Sequence, residues 1–102
     1  MRRGTTPIIS LEVDFDFTGW ELFVTFKNGM KTITIENDGL TLEVEKGTSA
    51  INVLLTQLQT LSFNSNTKCE VQIRAYKGGS AVATSIETLD VKRILMDGVI
   101  GG

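Results

Sequence analysis

Apolar and polar residues alternate with a period of two along most of this chain, and that period restricts what the chain can fold into. From Ile9 to Phe17 every odd-numbered residue is apolar, while the even-numbered residues are serine or acids. Successive side chains of a strand point to opposite faces, so this segment predicts a strand with one buried and one hydrated face. Similar alternation or short apolar runs predict six further strands: Trp20 to Phe26, Lys31 to Glu36, Leu40 to Glu45, Ile51 to Leu55, Cys69 to Tyr76 and Ala81 to Val91.

Residues that favour tight turns separate these strands. The turn segments are Lys27-Asn28-Gly29, Asn37-Asp38-Gly39, Lys46-Gly47 and Lys77-Gly78-Gly79. Glycine and asparagine tolerate the positive φ angles that short hairpins require. In the last predicted strand the apolar residues change parity between Ile86 and Leu89, which predicts a β-bulge near Glu87 or Thr88.

One helical segment interrupts the strands. Thr56 is followed three residues later by Gln59, the spacing of a capping box, in which each side chain bonds a free backbone N–H at a helix start. One helical turn is therefore expected before Cys69, as a crossover between strands that lie far apart. Seven strands with this crossover predict an all-β, seven-stranded immunoglobulin-like sandwich. The hairpin at Asn28 leaves a partly up-and-down sandwich or barrel as the alternative.

The length of 102 residues fits one domain over residues 1–102, with an N-terminal arm at 1–7 and an apolar tail at 94–102. Ten Lys and Arg against twelve Asp and Glu give a net charge of −2, which argues against nucleic acid as a partner. No run approaches the ~18–20 apolar residues that span a bilayer, and no secretory signal follows the basic start. The sequence therefore predicts no membrane partner, and folding in a cytoplasm.

Residues that could carry chemistry are scarce in this sequence. It contains no histidine, which excludes Ser-His-Asp and Cys-His catalytic groups and His-containing zinc sites. Cys69 has the inward parity of its strand and is interpreted as a small buried hydrophobe. We therefore expect no catalytic residue, no metal and no cofactor, and a protein that is not an enzyme.

Carboxylates cluster on two of the predicted strands. Glu12, Asp14 and Asp16 share one strand face with neighbours ~7 Å apart, a spacing that could hold calcium or an acid and base pair. A hydrated face that discourages edge-to-edge pairing is the favoured interpretation, because calcium needs about six to eight oxygens and no loop here wraps around an ion. Glu43 and Glu45 are interpreted in the same way.

Three aromatic residues are candidates for an interaction surface. Trp20, Phe23 and Tyr76 could form an exposed platform for a sugar or a peptide. Packing of a second sheet over them is the favoured interpretation, because isolated exposed aromatic residues are normal, whereas a functional patch covers more than a few hundred Å².

The apolar tail is the second candidate for interaction. Ile94, Leu95, Val99 and Ile100 lie beyond the last predicted strand, and leaving each of them in water costs ~1.5 kcal/mol or more relative to burial. The tail is therefore expected to fold back as an edge strand or to dock on a neighbouring subunit, with disorder as the alternative.

Several segments carry a resemblance to known proteins: Met1 to Pro7, Leu55 to Gln57, Thr60 to Phe63, Val71 to Ala75 and Arg93 to Ile100. In these segments the chain resembles a family of small proteins encoded in phages and prophages of Gram-positive bacteria. The resemblance implies a virion-associated or tail-module protein without enzymatic activity, similar in style to the immunoglobulin-like domains of phage baseplate and tail components. It supplies no functional residues.

The same resemblance implies where the protein acts and with what. Its partners would be other phage structural proteins or further copies of the chain in a homo-oligomer. It would be made in the cytoplasm of the bacterial host and could then enter the virion.

A module that binds carbohydrate or another surface ligand through Trp20, Phe23 and Tyr76 is the alternative function.

Overall fold

The computed structural model describes residues 1–91 and 100–101 of the chain. Within them lie eight strands, one α-helix and one 3₁₀ turn. The strands are β1 (Ile8–Val13), β2 (Glu21–Asn28), β3 (Lys31–Ile35), β4 (Leu40–Glu45), β5 (Thr48–Leu54), β6 (Thr67–Lys77), β7 (Ser80–Ala83) and β8 (Glu87–Val91). Helix α1 (Gln57–Leu61) follows β5, and the 3₁₀ turn (Asn37–Gly39) precedes β4.

The strands form two antiparallel sheets, which confirms the predicted all-β sandwich. The first sheet has the order β1-β5-β4, and the second has the order β3-β2-β6-β7, with β8 also paired to β6. This order corresponds to strands B, E and D and to strands C′, C, F and G of the immunoglobulin sandwich. The hairpin between β2 and β3 lies within one sheet of that scheme and is compatible with it. No closed barrel forms in the described residues, because each sheet keeps free edges.

Apolar side chains of both sheets fill the space between them. On β2 and β6 every second residue points inward, so that Phe26 lies opposite Val71 and Val24 lies opposite Ile73. All four are at most 3% exposed, and Cys69 continues the row on β6, as its parity predicts. The first sheet and the connections add further buried residues: Leu11, Phe17, Ile51, Val53, Leu55 and Phe63.

β1 is shorter than the predicted strand from Ile9 to Phe17. It ends at Val13, whose carbonyl accepts a hydrogen bond from the Phe15 N–H at 2.8 Å. Beyond that turn, the Ser49 hydroxyl donates to the Phe15 carbonyl at 2.5 Å and accepts from the Phe17 N–H at 3.0 Å. The Ser49 side chain on β5 thus replaces the backbone hydrogen bonds that would extend β1. Phe17 is still buried in the core, whereas Phe15 remains 40% exposed.

The predicted bulge is present, and it divides the last predicted strand into β7 and β8. At this point residues 84–86 lie opposite only residues 72–73 of β6. Thr84 holds the bulge, because its N–H donates to the Ile73 carbonyl at 2.9 Å and its Oγ1 accepts from the Ile73 N–H at 3.1 Å. The bulge precedes its predicted position near Glu87, and the division makes eight strands in the described residues, where seven were predicted.

The first hairpin turn lies one residue later than predicted. Asn28 is the last residue of β2 and pairs with Lys31, which leaves Gly29 and Met30 as the turn. Gly29 has a φ of +59° whereas Met30 does not have a positive φ, and this combination marks a type II′ hairpin, which favours glycine at its first position. Asn28 is therefore a buried strand residue, only 1% exposed.

Helix α1 begins with the predicted capping box. The Gln59 N–H donates to Thr56 Oγ1 at 3.2 Å, and the Thr56 N–H donates to Gln59 Oε1 at 2.8 Å. The helix is five residues long and connects β5 of the first sheet to β6 of the second. The predicted helical crossover is therefore confirmed.

The N-terminal arm, residues 1–7, lies against the end of this helix. Arg3 donates from Nε to the Phe63 carbonyl at 2.7 Å and from Nη2 to the Leu61 carbonyl at 2.8 Å. The last carbonyls of a helix lack partners within the helix, so the guanidinium supplies donors where they are needed. The Thr60 hydroxyl adds a bond to the Thr5 carbonyl at 2.9 Å.

Candidate functional site

Groups that could support catalysis or hold a metal do not converge in the described residues. There, no three or more Cys, Asp or Glu side chains are grouped so that they could hold a metal ion. Cys69 is wholly buried, and desolvation by that burial raises the pKa of its thiol to about 11. Because the thiolate is the reactive form of cysteine, this side chain behaves as a packed hydrophobe at neutral pH.

The raised pKa of Cys69 predicts that stability falls as pH rises from 9.0 toward about 11. Over this range the folded chain retains a thiol proton that the unfolded chain has released, so the unfolded state gains stability with pH. Urea unfolding of the wild type and of Cys69→Ala at both ends of the range measures the effect. The wild type should lose more stability than the variant, and equal losses would assign the pH dependence to other groups.

The carboxylates of the predicted acidic face have different neighbours. Asp14 accepts a hydrogen bond from Thr48 Oγ1 at 3.2 Å, and Asp16 accepts one from the Thr18 N–H at 2.9 Å. Hydrogen bonds from Thr18, first from its side chain and then from its backbone, lower the pKa of Asp16. Glu12 remains exposed on β1. The three acids therefore do not form a common site.

The fold separates the three candidate aromatic residues. Trp20 packs edge-to-face against Phe15 and Phe17, with ring centroids 5.5 and 6.2 Å away. Phe23 and Tyr76 are instead diagonal neighbours on the outer face of the second sheet. The interpretation that another sheet covers all three is wrong for Phe23 and Tyr76, which lie on the outer face away from the first sheet, Tyr76 with 47% of its surface exposed.

A shallow depression, which we call the outer platform, surrounds Phe23 and Tyr76. It encloses about 410 Å³ and is lined mainly by Glu21, Phe23, Thr25, Thr34, Arg74 and Tyr76. Across the two strands, Phe23 lies opposite Arg74 and Tyr76 lies opposite Glu21. Aromatic rings flanked by charged and hydroxyl groups can bind a ligand that has both apolar and polar faces.

A second depression, which we call the lateral groove, lies between the two sheets beside β1. Its floor consists of Leu11, Phe17, Val71 and Ile73, and its rim includes Glu12, Asp14, Phe15, Val82 and Glu87. The groove encloses about 390 Å³. That volume falls within the ~300–1,000 Å³ range of ligand pockets. The bulge at residues 84–86 borders the groove on the side of the second sheet.

The outer edge of β1 has no neighbouring strand in the described residues. The Leu55 N–H donates to the Pro7 carbonyl at 3.1 Å, so these two residues form a hydrogen-bonded pair of the antiparallel ladder. Along such a ladder, hydrogen-bonded pairs alternate with pairs that are not hydrogen-bonded. The odd-numbered residues of β1 therefore turn their backbone N–H and C=O groups toward β5. The residues whose backbone groups point outward are Ile8, Ser10 and Glu12. In the immunoglobulin order this is the position of strand A.

Sequence reasoning did not identify the lateral groove. Its lining comes from β1, β6, β7, the start of β8 and the connections next to them, and only the sheet order brings these segments together. The change of parity after Ile86 was the available signal, because it marks where the last strand departs from regular pairing.

Of the four candidate tail residues, Ile100 lies in the described part of the chain, whereas Ile94, Leu95 and Val99 lie outside it. The Gln57 side chain donates to the Ile100 carbonyl at 2.6 Å and accepts from the Ile100 N–H at 2.8 Å. Ile100 therefore lies beside the start of α1 of its own chain, with 54% of its surface exposed.

No helix in the described residues is long and apolar enough to cross a bilayer. No protein-family model matches the chain, and no curated protein matches it significantly. The outer platform, the lateral groove and the free edge of β1 are therefore the features from which a function must be inferred.

Proposed function

We propose that this protein is a non-enzymatic structural or assembly protein of a phage or prophage, associated with the tail or baseplate, which acts through contacts with other proteins. The observation that carries the proposal is the open side of the sandwich, where the free edge of β1 borders the lateral groove. A free strand edge beside exposed apolar surface is a place where another chain can bind. The sequence resemblance to phage and prophage proteins supplies the kind of assembly.

The reactive side chains of the described residues support a role in binding. The Cys69 thiol is buried and has a raised pKa, and the carboxylates of Asp14 and Asp16 accept hydrogen bonds from Thr48 and Thr18. These groups are engaged in packing and in holding loops. The outer face and the open side of the sandwich are left as the surfaces that other molecules can reach.

The apolar tail is part of the same proposal. Ile94, Leu95 and Val99 would supply apolar side chains to a neighbouring subunit, either a further copy of the chain or another phage structural protein. The protein would be made in the bacterial host cytoplasm and then join the virion.

Purified phage particles test this proposal. After prophage induction in a host that carries the gene, the chain is expected to purify with particles or with tail-assembly intermediates, because structural proteins remain bound in both. Deletion of the gene should lower the yield of infectious particles and leave incomplete tails in electron micrographs. Particles of unchanged number, shape and infectivity that lack the chain would contradict the proposal.

A module that binds carbohydrate is the second candidate function, and the outer platform is the observation that favours it. Phe23 and Tyr76 lie together there with Arg74 and Glu21, which could bond sugar hydroxyl groups. Binding on a glycan array that is lost in the double variant Phe23→Ala/Tyr76→Ala would favour this function. Binding that survives both substitutions would exclude the platform as its site.

A further inference from the structure

The lateral groove and the outer edge of β1 form one continuous surface, because Glu12 lies on the edge and also lines the groove. We propose that an extended segment of another protein binds here, pairs with β1 as an additional strand and places alternate apolar side chains in the groove. This inference rests on the proposed function of the chain as a protein that acts through protein contacts, and it specifies the chemistry of the partner.

The backbone of β1 supplies one half of this binding site. Ser10 lies at the centre of the three residues whose N–H and C=O groups point away from β5. An added strand would bond to these groups and occupy the position of strand A. Its backbone bonds would contribute affinity, as in other cases where a peptide joins a sheet edge.

The apolar surface of the groove supplies the other half. Side chains of an added strand alternate between two faces, so that every second one would turn toward the space between the sheets. There the floor is made of buried core residues, and on the rim Phe15 and Val82 are each still 40% exposed. Covering these two rim residues and filling the groove would give the bound segment its hydrophobic contribution.

The charges around the groove determine which charged residues the partner segment carries beside its apolar residues. Glu12, Asp14 and Glu87 border the groove, Glu12 with its side chain on the outer face of β1, and no Lys or Arg of the described residues borders it. Glu87 pairs with Val71, whose side chain faces inward, and residues paired across strands share one face of the sheet. The Glu87 side chain therefore faces the groove. The partner segment therefore carries lysine or arginine next to its alternating apolar residues, because opposite charges across an interface favour association.

The same charges argue against a second copy of the chain as the occupant. A β1 strand from another copy contains no lysine or arginine that could complement the acidic rim, and the chain as a whole carries a net charge of −2. Opposite charges across an interface favour association, and a second copy of β1 does not supply them. The geometry and the charge thus indicate a different protein with a basic, strand-forming segment.

Selection from a random peptide library tests this inference. Peptides of about ten residues, the upper length of strands in globular proteins, are displayed and selected on the immobilised wild-type protein. We expect the enriched sequences to alternate apolar residues and to carry lysine or arginine. Synthetic versions of the enriched peptides are then labelled, and their dissociation constants are measured by fluorescence anisotropy.

A matched pair of variants at Ser10 separates pairing with the edge from other modes of binding. In Ser10→Pro the ring removes an outward N–H and obstructs an approaching strand, and proline is tolerated at an outward position of an edge strand. Ser10→Ala removes the same hydroxyl, which donates to Asn52 Oδ1 at 2.6 Å, but keeps the backbone N–H. Ser10→Pro should weaken peptide binding at least about tenfold, whereas Ser10→Ala should bind like the wild type.

Glu87→Lys provides a second readout that does not depend on proline being tolerated. Reversing this charge should weaken binding of the basic peptides and improve binding of the same peptides with acidic flanks. The inference is overturned by a library that yields no enriched peptides, by peptides that bind both Ser10 variants equally, or by peptides whose affinity is indifferent to the charge at Glu87.

Self-association is measured in parallel, by sedimentation of the wild type and of Ser10→Pro. A dimer that only Ser10→Pro abolishes would show that a second copy occupies the edge, which contradicts the inference. The phage-particle experiment is independent of these assays. A chain that binds basic peptides but is absent from particles would overturn the proposed function alone, and a chain found in particles that binds no peptide would overturn this inference alone.

Discussion

Replacing Phe26 by alanine is expected to lower the free energy of unfolding by about 3–5 kcal/mol. Its ring is fully buried in the middle of β2 and lies opposite Val71 in the core between the sheets. The substitution removes apolar surface from the core and leaves a cavity that packed neighbours fill only in part. Because small domains are stable by only about 5–15 kcal/mol, urea unfolding should show a large fall in the midpoint.

Phe23→Ala is the matched control for this experiment. It changes the same residue type on the same strand, but Phe23 faces the outer platform and is only partly buried. Its loss should cost about 1 kcal/mol, a typical value for a point substitution and well below the cost of emptying a core site. Equal losses for the two variants would contradict the assignment of inward and outward faces on β2, and with it the position of the core.

The strand pattern could be predicted from the sequence because burial on one face leaves a period of two. That period placed Cys69 in the core and separated Phe26 from its outward neighbours on β2. It could not locate the end of β1, since the alternation continues through Phe15 and Phe17. At Phe15 and Phe17 the hydroxyl of Ser49, about thirty residues later in the chain, takes the place of backbone bonds between strands. A local pattern contains no information about such a distant partner.

The candidate binding surface was harder to predict for the same reason. The sequence makes the aromatic residues Trp20, Phe23 and Tyr76 candidates for a common surface, but the sheet register places only the last two on a common face. The lateral groove depends on the free edge of β1 and on a bulge in a distant strand. Parity indicated the bulge, but only sheet order shows that it lies beside β1.

Asn28→Ala is the second substitution with a large expected effect, a loss of about 3 kcal/mol in the free energy of unfolding. Asn28 is 1% exposed, and its Nδ2 donates to Thr67 Oγ1 and to the Lys68 carbonyl, each at 2.8 Å. Its Oδ1 accepts from the Asn64 N–H at 2.7 Å. Alanine removes the amide partner of two partly buried backbone groups, the Lys68 carbonyl and the Asn64 N–H, and of the Thr67 hydroxyl, which costs more than the bonds themselves contribute.

Asn64→Ala tests whether this cost comes from the side chain of Asn28. The described hydrogen bonds of Asn64 use its backbone, since its N–H donates to Asn28 and its carbonyl accepts from Thr67. Removing the Asn64 side chain should therefore change stability by only about 0.5 kcal/mol. Thermal and urea unfolding of both variants measure the difference. If Asn28→Ala proved as stable as Asn64→Ala, the amide of Asn28 would not hold the end of β2 to the start of β6.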